Sequence, residues 1–122
     1  MSFVSPEVLG MLDNLDQNKA DTLTYGAIKV DDNGIVQVYN RSQADLAGLT
    51  TAGVIGKNWF QDIAPCTNNR LFLGRFKDGV QKGTLNAAFP YTFSYKMAVT
   101  NVTIHMVRSP SGQSNWVFVK KD

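Results

Sequence analysis

The sequence predicts an α+β fold: a central antiparallel sheet of five strands, helices packed on one face, and an N-terminal helical cap. Three observations lead there. Two β-rich runs, residues 27–30 and 35–39, lie close together early in the chain, and three more, residues 86–97, 101–108 and 115–120, close it. Between the two groups sit several short helical segments and one longer one. Hairpin-linked strands with helices inserted between them imply an antiparallel sheet covered by helices.

The elements follow in order. Ser5-Pro6-Glu7 is a helix-start signal, with Ser5 as N-cap and Pro6 in the first turn, and Val8, Leu9 and Leu12 give that helix an apolar face. A second helix over residues 15–20 is too short and polar to stand alone. The first two strands flank Asp31-Asp32-Asn33-Gly34, and Asn-Gly between such runs is a hairpin signal because both residues tolerate positive φ. Asn40 caps a short helix that ends near Gly48. Residues 50–65 read as short helical and loop pieces. Asn68 or Asn69 caps a longer helix over residues 70–82, with Leu71, Phe72, Phe76 and Val80 as its apolar stripe and Gly83 as its stop. Pro90 cannot donate to a ladder, which puts it at a bulge or an unpaired edge. Ser109-Pro110-Ser111-Gly112 is the turn between the last two strands.

At 122 residues, 43% hydrophobic and 11% aromatic, the chain is one domain's worth of protein with enough apolar surface for a core. Residues 1–122 are read as one unit, with 1–22 as the cap and 23–122 as the core. The net charge is +2 and the basic residues are scattered, with no stripe for a phosphate backbone, so nucleic acid is not an expected partner. No apolar run approaches the ~20 residues of a membrane span, and the N-terminus lacks the basic start and apolar core of a signal peptide. A cytoplasmic monomer without metal is the expectation.

Cys66 is the one cysteine, so no internal disulfide is available to it. It is either a small buried hydrophobe or a chemical handle. Its place after Ala64-Pro65 and before an expected helix start favours the handle, because exposed N–H groups there lower a thiol's pKa and hold an oxyanion or carbonyl oxygen. His105, the one histidine, lies on a strand and points opposite to Ile104 and Met106. A sheet-surface position suits it. A Cys66–His105 hydrolase would need the pair in contact and an orienting third group, and the sequence shows neither.

The order of elements resembles a PAS domain, a fold that holds a small ligand between sheet and helices. A closer resemblance is carried by particular segments: Tyr25-Gly26-Ala27-Ile28, Gln37-Val38-Tyr39-Asn40, Val54-Ile55-Gly56-Lys57-Asn58-Trp59-Phe60, Asp62-Ile63-Ala64-Pro65-Cys66-Thr67, Tyr91-Thr92-Phe93-Ser94-Tyr95-Lys96-Met97 and Trp116-Val117-Phe118-Val119-Lys120. These are similar to the photoactive yellow protein family, collinear from about residue 23 to the end and looser before it.

The resemblance implies a blue-light photoreceptor, not an enzyme, with p-coumaric acid (4-hydroxycinnamic acid) bound as a thioester on Cys66. It also implies that the Cys66 N–H holds the chromophore carbonyl, that Tyr39 donates to the phenolate oxygen, and that Phe93 and Met97 neighbour the chromophore, Met97 assisting return to the dark state. Core packing suits Phe93 equally well, and Met97 is adaptable enough to be filler. Trans-to-cis isomerisation, protonation of the chromophore and partial unfolding, starting with the cap, would produce the signalling state. The downstream signalling protein is unidentified.

The physics suits such a ligand. A phenol has a pKa near 10 and burial raises it, so a buried phenolate needs donors aimed at it. Tyr39 supplies one, and Gln43, one helical turn further on, can bring a second. The family usually has glutamic acid there; an amide donates a hydrogen bond but has no proton to give. Absorption to the red of glutamate-bearing relatives and protonation from solvent are therefore expected. Ala47 stands where a supporting threonine is common, and Leu49 where an arginine often covers the chromophore, which removes a positive charge and leaves an apolar lid. The alternatives are a non-photochemical PAS module binding another small molecule or a partner, a flavin sensor, whose Asn-Cys-Arg-Phe type motif is missing, and a thiol acyl-transfer enzyme.

Overall fold

Strands β1 (Gly26–Val30), β2 (Val36–Tyr39), β3 (Asn86–Phe93), β4 (Thr100–Arg108) and β5 (Asn115–Lys121) form one antiparallel sheet in the order β2-β1-β5-β4-β3. The computed structural model describes residues 3–94 and 99–122. Met97 and the end of the expected third strand therefore lie outside the described residues.

Side-chain alternation splits this sheet between two apolar layers. Ile28, Ile104, Met106, Val117 and Val119 face a core shared with Trp59, Phe60, Phe72 and Phe76. Ala27, Trp116 and Phe118 face the opposite way, against Val4, Val8, Leu12 and Leu15 of the N-terminal segment. The helices thus cover one face, and the cap covers the other. Central β5 accordingly reads Asn-Trp-Val-Phe-Val, buried on both sides. Pro90 lies on β3, an edge strand, where its missing N–H breaks no inner ladder.

The cap is built from α1 (Pro6–Leu9) and α2 (Gln17–Ala20), each one turn long. Ser5 Oγ accepts from Val8 N, and the Asp16 carboxylate accepts from Lys19 N. Helices α3 (Arg41–Ala47), α4 (Thr51–Val54) and α5 (Leu73–Lys82) cover the other face, together with a π-turn over Trp59–Ile63 and a 3-10 turn over Pro65–Thr67.

Two local expectations change. The β1–β2 connection is a five-residue loop closed by Asp31, whose Oδ1 accepts from Asn33 N and Ile35 N. Gly34 has φ 85°, and a Cβ there would lie 2.9 Å from Phe60, so both backbone and packing require glycine. Helix α5 begins at Leu73, not near residue 70, because Asn69 Oδ1 accepts from Phe72 N and holds a separate turn ahead of the helix. Leu71 consequently leaves the apolar stripe and is 64% exposed.

Candidate functional site

Between the sheet and the α3–α4 segment lies a cavity of about 450 Å³, within the roughly 300–1,000 Å³ typical of small-molecule sites. Tyr39, Gln43, Ala47, Leu49, Cys66 and Phe93 all line it, and Trp59, Val54 and Ile63 complete an apolar wall. Leu49 is 40% exposed and forms part of the mouth. Lys57 also lines the cavity, so a cation remains on its wall despite the leucine at position 49.

Tyr39 ends β2 and is completely buried, and its hydroxyl has no hydrogen-bond partner among the described residues. Burial pushes its pKa up to about 12, and the nearby Gln43 side chain opposes that shift, although no well-formed hydrogen bond joins the two. Its backbone is held from two sides. Gln17 Nε2 donates to Tyr39 O at 2.9 Å, Tyr39 N donates to Gln17 Oε1 at 3.1 Å, and Thr51 Oγ1 donates to the same carbonyl at 2.8 Å.

Asn40, expected as an N-cap, does more than cap. Its Oδ1 accepts from Gln43 N at 3.1 Å and from Ala27 N at 2.9 Å, while Nδ2 donates to Ala20 O and Tyr25 O. This buried side chain ties the cap, β1 and the first turn of α3 together, and so sets where Gln43 sits. The Gln43 carboxamide oxygen is buried without a partner among the described residues, in the space that a Cβ on residue 26 would occupy. Gln43 itself lines the cavity.

Cys66 is half-buried in the Pro65–Thr67 turn, not at the start of a helix, so the expected helix-terminus donors are not its neighbours. Its carbonyl accepts from Asn69 Nδ2 at 3.0 Å and from the Tyr91 hydroxyl, and Asn69 Nδ2 also donates to Tyr91 Oη at 2.6 Å. On the other side of the residue, Asn68 N donates to Pro65 O at 3.0 Å, which fixes the peptide carrying the Cys66 N–H. That N–H has no protein acceptor among the described residues.

His105 is remote from this arrangement. It pairs in register with Phe118 and so faces the cap side of the sheet, where Nε2 lies 2.8 Å from Asn86 Oδ1. It is buried, not surface-exposed as its strand position suggested, and desolvation lowers its pKa. Cys66 and His105 form no dyad.

The PAS fold family matches residues 11–121. Over 121 residues the chain is 41% identical to the photoactive yellow protein of Rhodothalassium salexigens, covering 99% of this chain and 97% of that one. The chain belongs to the photoactive yellow protein family. A photoactive yellow protein from Halochromatium salexigens is 40% identical over 119 residues, 98% of this chain and 95% of that one. The crystal structure of the photoactive yellow protein domain of the sensor histidine kinase Ppr from Rhodospirillum centenum superposes with a TM-score of 0.86 at 42% identity, covering 93% of this chain and 99% of that domain. Family membership accounts for the PAS sheet and for the segments singled out in the sequence. No helix among the described residues is long and apolar enough to cross a membrane.

The site fits the chromophore that such membership implies. An unpartnered hydroxyl and a carboxamide share an aromatic-walled cavity with a half-buried thiol whose backbone N–H is unengaged. The sequence does not mark Tyr91, Gln17 or Gly26 as site residues, and it marks Asn69 only as a helix cap. Tyr91 and Gly26 sit inside segments that carry the family resemblance; Gln17 carries no local signal of its role, and nothing local signals the contact of Asn69 with Cys66 and Tyr91.

Proposed function

We propose that this chain is a blue-light photoreceptor carrying p-coumaric acid as a thioester on Cys66 Sγ. The observation that carries the reading is the buried Tyr39 hydroxyl without a partner, in a cavity that Gln43 and Cys66 also line. Leaving a buried donor unmatched costs about 1–3 kcal/mol, and an anionic oxygen placed there removes that cost. When bound, the group supplies visible absorption and a light-driven trans-to-cis change.

The rest is done by the chain's own residues. Tyr39 Oη and Gln43 Nε2 donate to the phenolate oxygen, the Cys66 N–H donates to the thioester carbonyl, and Phe93 packs on the ring. Ala47 and Leu49 enclose the site with apolar surface, and Met97, outside the described residues, is assigned to the dark return. Gln43 holds a proton donor that it cannot release, so the proton taken up after isomerisation comes from solvent. Once the anion is gone, Tyr39 and Gln43 lose their partner. The resulting cost of several kcal/mol is weighed against a domain stability of only ~5–15 kcal/mol. Segment 1–22, whose described residues form only single-turn helices, is the part released, and a downstream signalling protein reads the change. The chain acts as a receptor and turns over no substrate.

The test is illumination of protein acylated with the imidazolide of p-coumarate, in which Sγ takes the acyl group and imidazole leaves with the thiol proton. Reversible bleaching of a visible band, with faster proteolysis inside residues 1–22 in light than in dark, is expected. A visible band that does not respond to light contradicts the photoreceptor reading, and equal cleavage rates contradict cap release.

A further inference from the structure

Gly26 lies in β1, an inner strand of the sheet, where glycine costs roughly 0.5–1 kcal/mol relative to alanine. Its backbone does not ask for glycine, since it is not among the positive-φ residues. The neighbouring side chain does. An ideal Cβ on residue 26 would lie 2.2 Å from Gln43 Oε1 and 3.2 Å from both Gln43 Cδ and Val119 Cβ.

Neither backbone can retreat. Gly26 is paired in register with Val119, and the adjacent Ala27 N–H and carbonyl both bond to Asn40. Gln43 N is held by the same Asn40 side chain. The free end of Gln43 is thus what must move, and the neighbouring open space is the cavity that Gln43 lines.

We propose that Gly26 is a specificity-determining residue: its missing Cβ creates the recess that seats the Gln43 carboxamide oxygen, sets how far Nε2 reaches into the cavity, and so fixes the depth available to a ligand's polar tip. The proposal rests on the pigment reading for the identity of that tip, but the recess itself is a property of the unloaded chain. A methyl at position 26 pushes the carboxamide into the volume that a para-hydroxyl occupies. A site built to hydrogen-bond a hydroxyl discriminates strongly against the analogue lacking it, and a displaced donor loses that discrimination.

The experiment compares the parent, Gly26→Ala, Gln43→Ala and the double variant. Unloaded protein is followed by the side-chain amide resonances of Gln43, identified by their loss in Gln43→Ala. Loading is followed with p-coumaroyl and cinnamoyl imidazolides, which acylate the thiol identically and differ only in the hydroxyl. In Gly26→Ala the Gln43 amide signals move, the p-coumaroyl absorption maximum shifts, and the preference for p-coumaroyl over cinnamoyl falls roughly tenfold or more. In the Gln43→Ala background the same methyl changes neither absorption nor preference. Unchanged amide signals, colour and preference in Gly26→Ala overturn the proposal. Should Gly26→Ala not fold, recovery of folding in the double variant supports the recess, and failure of the double variant to fold overturns it. If the parent takes up neither acyl group, the pigment reading fails while the amide resonances still decide the recess.

Discussion

The side-chain amide of Gln17 brackets the backbone of Tyr39, accepting from its N–H at 3.1 Å and donating to its carbonyl at 2.9 Å. Gln17 Nε2 also donates to Asp21 Oδ1 at 3.0 Å, and that carboxylate oxygen accepts from Arg41 N at 2.8 Å. The cap is therefore hydrogen-bonded to the main chain of Tyr39, a residue that lines the cavity. It is pinned elsewhere by Asp13, which accepts from Ser111 N and Oγ at 3.1 and 2.5 Å. Coupling between two sites is reciprocal, so on the reading proposed above a shift of Tyr39 would weaken the cap by as much as release of the cap would free Tyr39.

Gln17→Ala leaves the Tyr39 N–H without its acceptor, while Thr51 still serves the carbonyl. The expected cost is about 1–3 kcal/mol in chemical denaturation. Amide exchange at Tyr39 and within α2 accelerates together. Exchange that rises in α2 alone contradicts the coupling.

Tyr39 predicts an alkaline loss of stability. Burial raises its folded pKa to about 12, from 10.0 as the ordinary value, so this contribution is fully present below pH 10 and is lost as pH rises towards 12. The unfolding midpoint of the unloaded chain should fall across that window, and the fall should be reduced in Tyr39→Phe. The same decline in both proteins assigns it to other groups.

Gln43 predicts an infrared signature. Light-minus-dark spectra of the loaded protein should show no loss of a protonated-carboxyl stretch from the pocket, whereas Gln43→Glu should introduce one, together with a blue-shifted absorption maximum. A bleached carboxyl band in the parent removes solvent as the proton source.

Gly79, inside α5, tests packing against propensity. Alanine there gains about 1 kcal/mol of helix propensity, but its Cβ would lie 2.6–2.8 Å from Leu85 side-chain and backbone atoms. Overpacking of that kind costs about 1–3 kcal/mol and wins. Gly79→Ala should lower stability, and Leu85→Ala should not rescue it, because Leu85 Cα is one of the clashing atoms.

Where a signal is local, the sequence carries it. Ser5-Pro6, Asn40 and Gly48 mark helix ends that the structure reproduces, with Gly48 at φ 69°. Pro90 argues for a bulge or an unpaired edge, and β3 is an edge strand with no register shift at that residue. The family resemblance points to Tyr39, and helical spacing from it points to Gln43; both line the cavity. What was not legible comes from distance along the chain. The Gln17–Tyr39 bracket spans 22 residues and the Tyr91–Cys66 contact 25. Gly26 looks like any strand glycine until Gln43 is seen against it. Helix α5 starts later than the sequence predicts because Asn69 caps an isolated turn, and an asparagine looks the same before either.

The most direct measurement is the intact mass and visible spectrum of denatured protein after incubation with p-coumaroyl imidazolide, for the parent and for Cys66→Ser. The account predicts a parent mass increased by one p-coumaroyl group, retained on denaturation, a yellow colour in the folded state, and neither in the serine variant. A parent that stays colourless, or whose dye separates on denaturation, contradicts it.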